Sequence, residues 1–240
     1  VHPIDLNCDM GESPDAVSDG RQEQLMRHVT SVSIACGGHA GDEWTIRETV
    51  AQARRHGCAI GAHPSYPDRA NFGRLRLDMP LEDLEHSLFR QVRAVGEIAE
   101  IAHVKPHGAL YNEAARDAGL AQTIARAVAR WSRDVVLVGL AGSTMLDVFA
   151  AAGFRVAAEG FADRSYESDG SLVARSRPGA LITDPEEAAR QALGLARGGK
   201  VETICIHSDT PGAAAIAKRV AHELRKAGFL HGSGGALREQ

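Results

Sequence analysis

The stretch His103-Val104-Lys105-Pro106-His107-Gly108-Ala109-Leu110-Tyr111-Asn112 decides how the chain is read. Upstream of it Glu97 to Ala102 is largely apolar, and downstream Glu113 to Arg130 reads as an alanine-rich helix. A strand running into Lys105 alternates its faces, so His103, Lys105 and His107 point one way and Val104 and Pro106 the other. Three cationic or titratable side chains on one face of a buried strand make poor core. Gly108 then breaks the strand where a helix begins. A polar strand end followed by a glycine turn is where α/β barrels and open α/β sheets place their chemistry. The competing reading is a charged edge strand facing water, where Pro106 would be at home.

The same pattern recurs along the chain. Ile4 to Cys8 is a strand whose Asp5, Asn7 and Asp9 share one face and Leu6 and Cys8 the other, with Glu12 following Gly11; an Asx-rich turn is the alternative. Gln22 to Val29 makes a helix. Ser31 to Cys36 leads into Gly37-Gly38-His39-Ala40-Gly41-Asp42, where Asp42 is placed to cap a helix over Glu43–His56 whose first-turn amides could meet an anion. Cys58 to His63 ends on a histidine, and the long polar segment beyond it, carrying Phe72, Gly73, Arg74 and Arg76, has the length of a lid or binding loop. A helix is expected from Leu81 to about Ala102. Val135–Leu140, Arg155–Glu159 and Glu202–His207 are further strands, and Leu181–Thr183 a very short one. Helices are expected over Ser143–Ala152, from Asp184-Pro185 to Arg197 with proline at its favoured first position, and over Ala213–Ala227. The glycine-rich stretch from His231 reads as a loose tail.

Strands alternate with helices along all 240 residues and no linker divides them, which means a parallel α/β domain spanning 1–240. Asp9, His39, His63, His107, Glu159 and His207 all fall at or just past the C-terminal end of a strand. In a closed barrel those ends converge on one mouth. A lone histidine is usually structural; four at equivalent places on separate strands are not well explained that way. The hydrophobic share of 44% is ample for a core, and a formal net charge of −4 argues against a broad nucleic-acid footprint. No apolar run approaches the ~18 residues of a membrane-spanning helix, and no signal-like segment opens the sequence. Cys8, Cys36, Cys58 and Cys205 form no CxxC pair and read as reduced, buried residues of a cytoplasmic protein.

Taken together, Asp5-Leu6-Asn7-Cys8-Asp9-Met10-Gly11-Glu12, Ala35-Cys36-Gly37-Gly38-His39-Ala40-Gly41-Asp42, Gly61-Ala62-His63-Pro64-Ser65-Tyr66-Pro67-Asp68, Val104 to Asn112 and Glu159-Gly160-Phe161-Ala162-Asp163-Arg164 resemble, in the same order, the LamB/YcsF family associated with 5-oxoprolinase. The resemblance implies a distorted, seven-stranded β/α barrel akin to polysaccharide deacetylases. It implies ATP-dependent opening of 5-oxoproline (pyroglutamate) to L-glutamate, with Mg2+ accompanying the nucleotide, alongside two partner subunits of B and C type. Where the family usually ends its last strand His-Gly-Asp, this chain has His207-Ser208-Asp209, and Ser165 stands where a second arginine is common.

For such chemistry Asp9 or His63 could be the base, with Lys105 and His107 as electrostatic stabilisers. Asn7, Glu12, His39, Asp42, Tyr111, Asn112, Glu159, Arg164 and His207 are the candidate substrate contacts. No GxxxxGK[ST] run exists, so ATP is expected on a partner or at an unrecognised site. Two rivals remain at this level. One is a metal-dependent amide hydrolase acting on a carbohydrate, with Asp9, His39, His63 and His107 as ligands; His103 and His107, ~13 Å apart on a strand, could not share its ion. The other is a non-catalytic binding subunit.

Overall fold

The structure, a computed structural model, describes residues 2–230. Seven parallel strands close into a barrel in the order of the sequence. They are β1 (Asp5–Met10), β2 (Ser31–Ala35), β3 (Ala59–His63), β4 (His103–Val104), β5 (Val136–Leu140), β6 (Arg155–Phe161) and β7 (Thr203–Ile206). The helices are α1 (Pro14–Ser18), α2 (Arg21–Met26), α3 (Glu43–Arg55), α4 (Leu81–Gly96), α5 (Gly108–Ala114), α6 (Ala118–Ala129), α7 (Thr144–Ala151), α8 (Pro185–Gly198) and α9 (Ala213–Lys226). No helix among the described residues is long and apolar enough to cross a membrane. The expected tail from His231 lies outside the described residues.

The strand alternation read from the sequence is realised. Leu6, Cys8, Val32, Ile34, Ile60, Val104, Ile204 and Ile206 join one apolar core with helix residues such as Ile46, Val50, Leu88, Ile124 and Ile216. The complementary face of β1 points into the barrel and is polar. Asp5 accepts hydrogen bonds from Thr30, Ser31 and Thr203, each at 2.7 Å, and burial raises its pKa. One step up, Ser33 and His103 Nε2 lie 3.1 Å apart. Gly61 makes room for that ring, since a Cβ there would stand 2.2 Å from His103 Nε2. Burial, with the Lys105 charge nearby, pushes the His103 pKa down to about 3, so this imidazole is a neutral filler of the barrel.

The structure corrects several boundaries. β4 pairs with β3 on one side and β5 on the other, so the edge-strand reading is excluded. Its regular part is only two residues long, because Pro106 lacks a ladder donor. α4 stops at Gly96 rather than near Ala102, where Trp131 packs so closely that a Cβ would be 2.2 Å away. The expected helix from Glu113 to Arg130 is two: α5 starts earlier, at Gly108, and Asp117 caps a fresh start, accepting from the Gly119 and Leu120 amides. α1 is additional to the expected helices; Ser13 caps it and Pro14 opens it. Leu181 makes only an isolated bridge to Arg164, not a strand.

Candidate functional site at the barrel mouth

At the C-terminal mouth lies a cavity of about 420 Å³. Its floor is carried by strand ends: Asp9 on β1, His63 on β3, Lys105 and His107 beyond β4, Glu159 on β6 and His207 beyond β7. Its walls come from α5, through Tyr111 and Asn112, and from the segment 162–184, through Arg164 and Arg175.

Lys105 is buried and fully engaged. Its Nζ lies 2.6 Å from Asp9 Oδ1 and donates to Asn7 Oδ1 (2.9 Å), Glu159 Oε1 (3.2 Å) and the Cys205 sulfur (3.3 Å). Burial pulls its pKa down, but Asp9, Cys205 and Glu159 outweigh it and hold the pKa well above the usual lysine range. Asp9 is held well below the carboxylate range: burial opposes ionisation, but His63 and Lys105 outweigh it. Asn7 also donates to Glu159 and Thr203, and Tyr111 Oη donates to Glu159 Oε2 at 2.8 Å.

Above this lies a histidine cluster. His63 Nδ1 is 2.7 Å from the Lys105 carbonyl, and its Nε2 is 3.3 Å from Asp9 Oδ2 and 3.0 Å from His107 Nδ1. His107 Nε2 meets the Phe72 carbonyl at 2.9 Å, and its ring stacks on His39 at 3.6 Å. His39 Nε2 is 3.0 Å from Glu12 Oε1. Burial, then the neighbouring imidazoles, drives the pKa values of His39 and His107 well below the usual histidine range. Burial and the Asp9 charge push Glu12 up to about 7.

The loop over residues 64–80 forms the roof of this cluster, as its length implied. Phe72 adopts a positive φ of 56°, which presents its carbonyl to His107, and its ring packs edge-on against His39 and His107. Gly108 sits beneath the loop with φ 61°, and a Cβ there would come within 2.5 Å of the Gly73 carbonyl.

The structure gathers Asn7, Asp9, Glu12, His39, His63, Lys105, His107, Tyr111, Asn112, Glu159, Arg164 and His207 into the mouth or its supporting layer. Asp42 is set apart. It is exposed and forms a capping box with Thr45 at the start of α3, the cap expected for it rather than a contact with the cavity. Four residues outside the candidate set also belong here. Asp163 is buried and accepts from the His207 amide, His207 Nδ1 and Thr210 Oγ1. Asp209 pairs with Arg74 and Arg175 across the opening. Asp163 lies inside the Glu159–Arg164 motif, so its position was visible; Arg175 sits in an irregular stretch that no periodicity flags.

A closed β/α barrel with buried carboxylates, imidazoles and a lysine converging on its C-terminal mouth has the layout of barrel enzymes acting on small polar molecules. The family profile of LamB/YcsF matches residues 4–234, and the chain belongs to the LamB/YcsF family. It is 48% identical over 243 positions to the A-type subunit of 5-oxoprolinase from Chloroflexus aggregans, covering 94% of this chain and 96% of that protein. To its Bordetella pertussis counterpart it is 46% identical with the same coverage. Among solved structures, the lactam utilization protein from Thermus thermophilus superposes with a TM-score of 0.87 at 38% identity, over 96% of this chain and 99% of that one. The family 4 carbohydrate esterase from Streptomyces lividans shares the fold alone, with a TM-score of 0.53 at 12% identity over 96% of this chain and 92% of that one.

Proposed function

We propose that this chain is the lactam-binding subunit of a 5-oxoprolinase, in which 5-oxoproline is opened to L-glutamate with ATP hydrolysis by an assembly with two partner subunits of B and C type. The observation that carries the reading is the two-tier mouth. Proton-transfer groups form its floor and arginines its rim, a layout suited to a small ring bearing one carboxylate. The names of relatives that match nearly end to end, with the lactam utilization protein among the solved structures, support it.

A lactam carbonyl resists water because the ring nitrogen donates into it, so the site needs a base for water and positive groups for the oxygen that gains charge. His63 is the better base. Its Nδ1–H donates to the Lys105 carbonyl, which fixes the tautomer and leaves Nε2 bare toward the cavity side of Asp9. Asp9 Oδ2 stands 3.3 Å from that nitrogen and holds the ring from the other side. Lys105 has its donors spent on Asn7, Asp9 and Glu159, so its role is to keep that carboxylate layer charged and in register.

The residues present do not fit a nucleotide triphosphate. Lys105 is enclosed by carboxylates and Arg164 donates to the Val173 and Ala180 carbonyls, which leaves Arg74 and Arg175 at the rim, enough for one carboxylate but not for three phosphates. ATP with its Mg2+ is therefore assigned to a partner subunit, and no step here runs through it.

The test is glutamate release from 5-oxoproline and ATP, by the chain alone and with its partners. Turnover is expected only from the assembly, and Asp9→Asn should lower it about 10²–10⁴-fold. Robust turnover by the isolated, homogeneous chain, or a fully active Asp9→Asn assembly, would overturn the reading.

A further inference from the structure

The lone pairs at the cavity floor do not balance as they stand. His63 Nδ1 faces a carbonyl oxygen, which can only accept, so that nitrogen carries the ring's proton. His107 Nε2 faces the Phe72 carbonyl and carries its proton for the same reason. In neutral imidazoles the remaining nitrogens, His63 Nε2 and His107 Nδ1, are then bare, and they face each other at 3.0 Å. Two lone pairs at that distance repel unless something positive lies between them. Their surroundings add negative charge, with Asp9 Oδ2 3.3 Å from the first and Glu12 Oε1 3.6 Å from the second. Lys105 does not answer this demand, because it is turned to Asp9 Oδ1, Asn7 and Glu159.

We propose that His63 Nε2, His107 Nδ1 and Glu12 form a binding site for one divalent transition-metal ion, with Asp9 at its edge and His39 orienting Glu12. The separations of 3.0 and 3.6 Å bracket the ~3.3 Å between neighbouring ligands of a tetrahedral ion with bonds of about 2.0–2.1 Å. Ligand atoms of Glu12, His39, His63 and His107 all lie within 4.8 Å of one another. His39 is nevertheless a supporting residue. Its ring lies flat on that of His107, 9° from parallel, so the in-plane lone pairs of the two cannot aim at one point. Its Nε2–H donates instead to Glu12, the outer-layer bond that fixes a ligating carboxylate. Two imidazoles with carboxylate suit Zn2+, Co2+, Fe2+ or Mn2+ better than Mg2+ or Ca2+. Such an ion would supply a Lewis acid, and with His63 Nε2 spent on it the base left in the site is Asp9, at its edge.

The site does not rest on the lactam reading, and its test needs neither lactam nor partners. Full-length protein stripped with a chelator is titrated with CoCl2 and followed by visible absorption and by metal analysis after gel filtration. One equivalent of Co2+ with a d–d band is expected, displaced by Zn2+ but not by millimolar Mg2+. His63→Gln and His107→Gln should abolish it, and His39→Gln should weaken it about 10–100-fold. Circular dichroism checks the fold of each variant. If a histidine variant fails to fold, Glu12→Gln, less deeply enclosed, carries the comparison with at least tenfold weaker binding. Less than stoichiometric binding by the folded wild-type chain, or binding unchanged in these variants, would overturn the proposal and leave a shared proton between His63 and His107.

Discussion

At Lys105 the interior charges of the barrel meet. Read from the sequence it is a candidate stabiliser of substrate charge; in the structure it is the counterion of Asp9 and Glu159. Lys105→Met would keep the apolar stem and strand two buried carboxylates without their counterion at the cavity floor. The expected loss is about 3–5 kcal/mol, read as a lowered urea midpoint with activity lost in parallel. An unchanged midpoint would mean that water already reaches this layer. Asp163 gives a second residue-scale prediction. Burial opposes its ionisation, but His207 and Thr210 hold its pKa below the ordinary 3.8. A folded value below the unfolded one means that the stabilisation is complete above about 3.8 and fades as pH falls through the lower folded value. Asp163→Asn should therefore lower stability at pH 6 by about 1.5–3 kcal/mol, the range for hydrogen bonds to a charged group, and flatten the acid limb of the stability profile below pH ~4. Parallel acid limbs in wild type and variant would refute this origin.

Among the elements, the joint between the loop over 64–80 and α5 depends on Gly108, whose Cβ would meet the Gly73 carbonyl and whose φ is positive. Gly179 has φ 76° with open space around it, so it isolates the backbone cost from the contact. Gly179→Ala should cost about 1 kcal/mol, the left-handed backbone penalty alone. Gly108→Ala should cost about 1–3 kcal/mol more, since neither backbone can yield without withdrawing Phe72 from His107. Equal losses at the two positions would show that the loop moves freely. Where elements begin and end follows how local their signals are. The alternation of Asp5, Asn7 and Asp9 against Leu6 and Cys8 is a property of one strand, and it placed both faces of β1 correctly. The end of α4 at Gly96 has no such local signal: Trp131, from another part of the chain, packs against Gly96, and apolar Ile98 and Ala99 mask the stop. The break between α5 and α6 turns on Asp117, a cap hidden in alanine-rich surroundings.

Across the whole molecule, the floor of the site was readable because a closed parallel barrel brings every strand end to one mouth, whatever the intervening lengths. The rim was not, because it joins three separate loops. Arg74 comes from the roof after β3, Arg175 from the segment after β6 and Asp209 from the turn after β7, and both arginines close on that one carboxylate. Arg175 meets both Asp209 oxygens, at 3.1 and 2.9 Å, while Arg74 also covers the Phe72 ring. The three side chains are only partly buried, so the strap can open at little electrostatic expense. On the proposed lactam function, the substrate carboxylate would replace Asp209 on the two guanidinium groups, the fork geometry suiting either partner. Binding by exchange predicts a separation of kinetic constants in the reconstituted assembly. Arg175→Ala should raise KM for 5-oxoproline about tenfold and leave kcat within about threefold, because the lost contact is equally present in the ground and transition states. Asp209→Asn removes the competitor and should lower KM or leave it unchanged. A fall in kcat for Arg175→Ala with KM unaltered would place that guanidinium on the reacting carbonyl instead, and the rim would then belong to the chemistry rather than to recognition.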